Sequence, residues 1–150
     1  MSDLGFTHVA LLVSDVEASV EFYARYADMQ VVHRRTDGRS RVAWVSDRTR
    51  PFVIVLIETP SYVPRQLLRL ANGLVRLMVP FEHMGVGCVS RDEVDRRCAR
   101  ARQEGCLSRG PTDYGPPVGY WAFLTDPDGH TLELSYGQEV GLTVEQGRPA

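Results

Sequence analysis

The sequence predicts an α+β fold made of two β-α-β-β-β modules in tandem, over about residues 5–60 and 81–137. Three observations predict it. A Phe-x-His tripeptide opens an apolar run twice, at His8 and at His83. Each run leads into a capping Ser or Asp and then an amphipathic segment with apolar residues at helical spacing. Each half closes on two short apolar runs bounded by turn residues, so the second half repeats the first.

In the first module, Phe6 to Val13 reads as a buried strand and Ser14-Asp15 as a helix start. The helix follows from Val16 to about Ala27, with Val16, Val20, Tyr23 and Ala27 on one face. A second strand closes at His33 beside Arg34-Arg35, where a solvated histidine is expected. Val42–Val45 and Phe52–Ile57 are the last two strands. Residues 61–80 form a connector, with a short helix from Gln66 broken at Asn72-Gly73. In the second module, Phe81 to Val89 is the strand and Ser90 the cap. A helix carrying Val94, Cys98 and Ala101 then runs to a Gly105 stop. Its Arg96, Arg97, Arg100 and Arg102 belong to a solvated face. Tyr120–Leu124 and His130–Ser135 correspond to Val42–Val45 and Phe52–Ile57. Beyond Tyr136 the chain is polar and Gly-rich, residues 138–150 form a C-terminal tail, and its last residues, ending Gln-Gly-Arg-Pro-Ala, are expected to be loose.

Composition narrows the functional classes. Hydrophobic residues at 43% and charged residues at 24% place the chain among globular proteins rather than disordered or fibrous ones. A formal charge of −2 lacks the basic footprint that a phosphate backbone requires, so nucleic acid is not an expected partner. No apolar stretch reaches spanning length and no export signal is read, so neither membrane nor secretion is expected. Cys88, Cys98 and Cys106 are odd in number and form no C-x-x-C pair, which fits a reducing, cytoplasmic setting.

Strand parity decides which side chains can share a cavity. His8 shares its face with Ala10 and Leu12, and His83 shares its face with Gly85 and Gly87. Glu133 lies between Leu132 and Leu134, and a carboxylate so placed needs a partner. A cation is the natural one. Two imidazoles and a carboxylate form a facial set that binds divalent Fe, Mn, Co, Ni or Zn and leaves positions open. The alternative is that all three are strand-borne polar residues satisfied by local hydrogen bonds. Ala10, Leu12, Val53, Val55, Trp121 and Phe123 would give the cavity an apolar and aromatic lining. Tyr114 and Gly115-Pro116-Pro117 precede the aromatic strand as a loop that could cover a substrate. His130 sits in the hairpin turn after Asp128-Gly129, where turn chemistry explains a polar residue.

Phe6-x-His8 through Tyr23, Glu82-His83-Met84-Gly85-Val86-Gly87 and the run from Phe123 through Asp126-Pro127-Asp128-Gly129-His130 to Glu133-Leu134 resemble the vicinal oxygen chelate superfamily. The resemblance covers about residues 6–136. It implies curved mixed sheets around a central metal and ligand cavity, the glyoxalase/bleomycin resistance/dihydroxybiphenyl dioxygenase fold. It implies a divalent metal on His8, His83 and Glu133, a small oxygenated substrate and a homodimer, with the metal site within one chain or across two.

Departures from each known activity limit what the resemblance implies. Glyoxalase I and the methylmalonyl-CoA epimerase carry a fourth carboxylate or amide ligand, and here its slot falls on Val55. Glu58 is the nearest carboxylate but has the opposite parity, so only a bulge would bring it in. Extradiol dioxygenases carry a histidine and a tyrosine whose positions here read Tyr114-Gly115-Pro116 and Phe123. Fosfomycin transferases need a threonine, a tyrosine and phosphonate-binding cations where this chain has Ala10, Phe123 and Leu142. Bleomycin binders lack the metal ligands that this chain retains. The favoured expectation is a metal-dependent lyase or isomerase in which Glu133 transfers a proton. The alternatives are an Fe(II)-dependent dioxygenase and a non-catalytic protein that binds a drug or metabolite.

Overall fold

The computed structural model describes residues 7–38, 40–60, 63–78, 82–138 and 140. It is an α+β structure with two four-stranded mixed sheets. Two compact units divide the chain: Met1–Pro80 with Pro127–Gly129, and Phe81–Asp126 with His130–Ala150.

The first unit contains β1 (His8–Val13), α1 (Val16–Ala27), β2 (Gln30–Asp37), β3 (Ser40–Ser46), β4 (Val53–Glu58) and α2 (Arg65–Met78). Its sheet runs β1-β4-β3-β2, with β1 parallel to β4 and the other pairs antiparallel. Asp15 caps α1 by accepting from the Glu17 and Ala18 amides, and Asp28 ends the helix in the left-handed region at φ 52. α1 covers β2, β3 and β4. Its buried stripe is Val16, Ser19, Phe22, Tyr23, Tyr26 and Ala27. Phe22 and Tyr26 thus take the place expected for Val20, because two rings bury more apolar area against the sheet than one valine does. Ala43, Val45, Ile54 and Leu56 face the helix and are buried; full burial of a leucine such as Leu56 contributes about 1.5–3 kcal/mol.

The second unit repeats the pattern with β5 (Met84–Gly87), α3 (Arg91–Gln103), β6 (Leu107–Asp113), β7 (Tyr120–Thr125) and β8 (Thr131–Tyr136). Its sheet order, β5-β8-β7-β6, is the counterpart of the first, again with one parallel pair. Ser90 caps α3 through the Glu93 amide, while the Glu93 carboxylate accepts from Val89 N at 2.8 Å. That reciprocal arrangement satisfies two amides at the helix start. Val94, Cys98 and Ala101 are the buried residues of α3, which lies against β6, β7 and β8. Gly105 follows at φ 72, where a side chain would be strained.

Three boundaries differ from those the sequence predicts. β2 continues past His33 to Asp37, because an edge strand tolerates charges such as Arg34 and Arg35 that read as a turn in sequence. β5 spans only the four residues that pair with β8. α2 extends to Met78 straight through Asn72-Gly73. Asn72 Nδ2 donates to the Asp128 carbonyl at 2.9 Å, so its amide does not compete for the helix backbone. The first unit also holds Asp128 through Ser14 N, which donates to Oδ2 at 3.0 Å. Phe6, Phe81, Leu142 and the tail end expected to be loose lie outside the described residues. Among the described residues no helix is long and apolar enough to cross a membrane.

Candidate functional site

In each unit one sheet face is sealed by a helix, and the opposite face carries the residues that the sequence singles out. On β1 the side chains of His8 and Ala10 lie beside Val53 and Val55 of β4 in register. These four line a cavity of about 660 Å³ in the first unit. Ile57, Val42 and Trp44 extend its apolar wall, and Arg35 and Ser40 also border it. The parity argument therefore places Ala10 and Val55 together with His8. His8 Nδ1 lies 3.0 Å from the Thr7 hydroxyl. With Nδ1–H donating to that oxygen, Nε2 keeps the lone pair that a cation requires.

The second unit brings His83 and Glu133 together. His83 Nε2 is 3.1 Å from Glu133 Oε2, and the carboxylate side chain is only 6% exposed. Glu133 is held there by β8, whose Leu132 and Leu134 are fully buried on the other face. Gln138 Nε2 donates to Glu133 Oε1 at 2.6 Å, and Ser135 Oγ lies 3.2 Å from Gln138 Oε1. Each carboxylate oxygen thus has a separate partner, which fixes the orientation of the group. Sequence reasoning missed Gln138, which it placed in a polar C-terminal tail without a role. The only signal was an amide placed shortly after a buried glutamate.

Phe123 and Trp121 stand beside this pair. The Phe123 ring centroid is 5.0 Å from that of His83, and Trp121 is 4.6 Å from Phe123. Arg109 lies over the Trp121 ring at 4.6 Å, and Tyr114 meets its edge at 5.4 Å. The loop expected to cover a substrate therefore has its exposed Tyr114 against an aromatic wall of the candidate site. His130 plays the turn role expected of it: its amide donates to Asp126 Oδ1 at 2.8 Å.

The missing fourth carboxylate is visible in the strand registers. Gly85 pairs with Glu133 in the second sheet, and Ala10 pairs with Val55 at the matching position of the first. Glu58 does not replace it. It pairs with Val13 in an unbroken β1–β4 register and points to the helix side, where its Oε2 accepts from Val16 N at 3.0 Å. Arg41 engages both of its oxygens, Nε at 3.0 Å and Nη2 at 2.6 Å.

The donor chemistry suits a divalent first-row ion such as Fe, Mn, Co, Ni or Zn. An imidazole nitrogen and a carboxylate oxygen converge, and the carboxylate carries an outer hydrogen bond of the kind that supports metal ligands. These are two of the three expected donors; His8 belongs to the other unit. Among the described residues, neither unit by itself gathers three His, Cys, Asp or Glu side chains.

Comparison with known proteins gives the family. Residues 5–134 match the Glyoxalase/Bleomycin resistance protein/Dioxygenase superfamily. An uncharacterised protein of Pseudomonas aeruginosa is 36% identical over 135 residues, covering 90% of each chain. An antibiotic binding protein from Streptomyces sp. CB03234 superposes with a TM-score of 0.62 at 22% identity, over 91% of this chain and 98% of that one. A fosfomycin resistance protein of Listeria monocytogenes, in complex with Mn(II) and 1S,2S-dihydroxypropylphosphonic acid, gives 0.62 at 18% identity, over 95% and 99%. At such identities the solved structures speak for the fold alone. The chain belongs to the glyoxalase/bleomycin resistance protein/dioxygenase superfamily.

Proposed function

We propose that this chain is a divalent-metal-dependent enzyme that transfers a proton within a small oxygenated organic substrate, as a glyoxalase or isomerase does. The observation that carries the reading is the pairing of His83 Nε2 with Glu133 Oε2 at 3.1 Å, with Gln138 bonded to the other carboxylate oxygen. His83 and Glu133 would hold the ion together with His8, from the same chain or from a second copy in a homodimer. Such an ion polarises the oxygens of a bound substrate and lowers the cost of the negative charge left when a neighbouring C–H proton is removed. Released from the ion, Glu133 takes that proton on Oε2 and returns it to an adjacent carbon, so no external acid or base is consumed. Gln138 keeps Oε1 engaged and directs Oε2 to the transfer. Phe123 and Trp121 keep water from the transferred proton.

Ala10 and Val55 favour a substrate whose body is apolar, because no polar atom of these side chains could replace water on it. The second reading, a protein that binds a drug or metabolite without turnover, draws on the cavity of the first unit, which is largely aliphatic and aromatic. Elemental analysis of untagged protein separates the two. About one divalent ion per chain in the wild type, lost in His83→Ala and in Glu133→Gln, is the expected result. No metal in the wild type and none taken up from Fe(II), Mn, Co, Ni or Zn would sink the enzyme reading and leave the binding protein.

A further inference from the structure

We infer that the outer face of α2 is an interface between two copies of this chain, which pack their α2 helices antiparallel about a twofold axis near Asn72. The inference concerns assembly alone and stands whether or not the proposed metal is bound.

Helix α2 is turned the opposite way from α1 and α3. Those two bury an apolar stripe against a sheet, whereas α2 is fastened to its own unit by polar groups. Arg65 Nε donates to Ser14 Oγ at 2.8 Å, and its guanidinium lies 3.8 Å from Asp15. Asn72 donates to the Asp128 carbonyl, and its Cβ and the Arg69 backbone lie so close to Gly129 that a side chain there would press on both. The helical turn sets Arg65, Arg69 and Asn72 on one side of α2 and Leu67, Leu70, Leu74 and Leu77 on the other. Those four leucines are 54–79% exposed, and Met78 at the helix end is 84% exposed. A monomeric domain seldom presents so long a row of large apolar side chains to water.

The exposed row is self-complementary. Its leucines recur at alternating steps of three and four residues, the spacing of a seam between two paired helices. The positions that flank such a seam are Gln66, Ala71, Gly73 and Met78, and none carries a charge, so an identical copy meets no like charge across it. Ala71 and Gly73 are also small, which suits helix axes at the near end of the usual separation of about 8–10 Å. Charge sets the direction. α2 begins with Arg65 and has no acidic residue in its first turn. Parallel copies would bring two positive helix ends together, while antiparallel copies set each N-terminus beside the other's C-terminal carbonyls, which carry the opposite partial charge. Leu67 of one copy then faces Leu77 of the other, Leu70 faces Leu74, and the two Ala71 meet beside the axis. The same geometry disfavours a lipid surface as the occupant. A helix lying on anionic lipid directs its cations to the headgroups that border its apolar face. Arg65 is instead engaged with Ser14 and Asp15 on the far side.

Sedimentation velocity of the full chain reads the assembly. The wild type is expected to run as a dimer at tens of micromolar. Leu70→Glu combined with Leu74→Glu should raise the dimer dissociation constant at least about a hundredfold, since each copy would bury two unpaired carboxylates. Circular dichroism checks that this variant keeps its fold, and if it does not, a milder pair decides. Ala71→Glu and Ala71→Lys both introduce good helix formers. Each alone should weaken the dimer by placing like charges together at the axis, and an equimolar mixture of the two should recover it as the heterodimer. A wild type that stays monomeric, a dimer indifferent to the changes at Leu70 and Leu74, or a mixture that associates no more tightly than either Ala71 variant alone would each overturn the inference. A monomeric wild type that co-sediments with phosphatidylserine vesicles would overturn it too, and would give the face to a lipid surface.

Discussion

Replacement of Glu58 by alanine separates a structural carboxylate from a metal ligand. Glu58 ends β4, and its side chain is 14% exposed. It accepts from Val16 N at 3.0 Å, one of the amides at the start of α1 that has no partner within the helix. A buried hydrogen bond from an amide to a charged acceptor contributes about 1.5–3 kcal/mol. The pairing with Arg41 is discounted here, because that guanidinium is 49% exposed and screened by solvent. Glu58→Ala should therefore cost about 2 kcal/mol. For a chain of this size that lowers Tm by about 4–8 °C. Thermal unfolding followed by circular dichroism reads the stability, and elemental analysis of the same preparation reads the metal. Reduced stability at unchanged metal content supports the assignment. Unchanged Tm with metal lost would refute it and make Glu58 a ligand after all.

The remaining predictions probe other parts of the chain. Gln138→Leu should weaken divalent metal binding about 10- to 100-fold, the usual cost of losing a partner that orients a ligand, and less than Glu133→Gln does; equal affinity in a competition assay would remove Gln138 from the site. Gly119→Ala should destabilise by ~3 kcal/mol or more. Its φ is +80, and a Cβ there would collide with the Tyr136 carbonyl and lie 2.8 Å from the Gly137 carbonyl carbon. Denaturant titration checks it, and a loss under about 1 kcal/mol would contradict the strain argument. The Arg97 guanidinium, and then the Val89 amide, hold the Glu93 carboxyl below its ordinary value. A depressed carboxylate contributes its stability above the unfolded pKa of about 4.3 and loses it as pH falls through the lower folded value. The Tm gap between wild type and Glu93→Gln should therefore be widest above about pH 5 and close in acid; a gap that widens in acid would reverse the sign and refute the linkage.

Local information carried much of this fold. The capping residues Asp15 and Ser90, the apolar spacing of α1 and α3 and the repeat of Phe-x-His depend on near neighbours, so they are readable without coordinates. The repeat identified Val55 as the counterpart of Glu133 before any register was known. Alternation along β1, β4 and β8 likewise placed Ala10 and Val55 beside His8, and put Glu133 on the face away from Leu132 and Leu134, because side-chain period in a strand is two. What sequence could not decide depended on groups far apart in the chain. Asn72-Gly73 stayed helical because Asp128 occupies the Asn72 amide. Glu58 became a helix pin because Arg41 and the start of α1 reach it first. Gln138 joined Glu133 only when the chain beyond β8 folded back on it. Arg35 and Trp44 became cavity residues through the pairing of β2, β3 and β4, a set of distances that exists only after the sheet has formed.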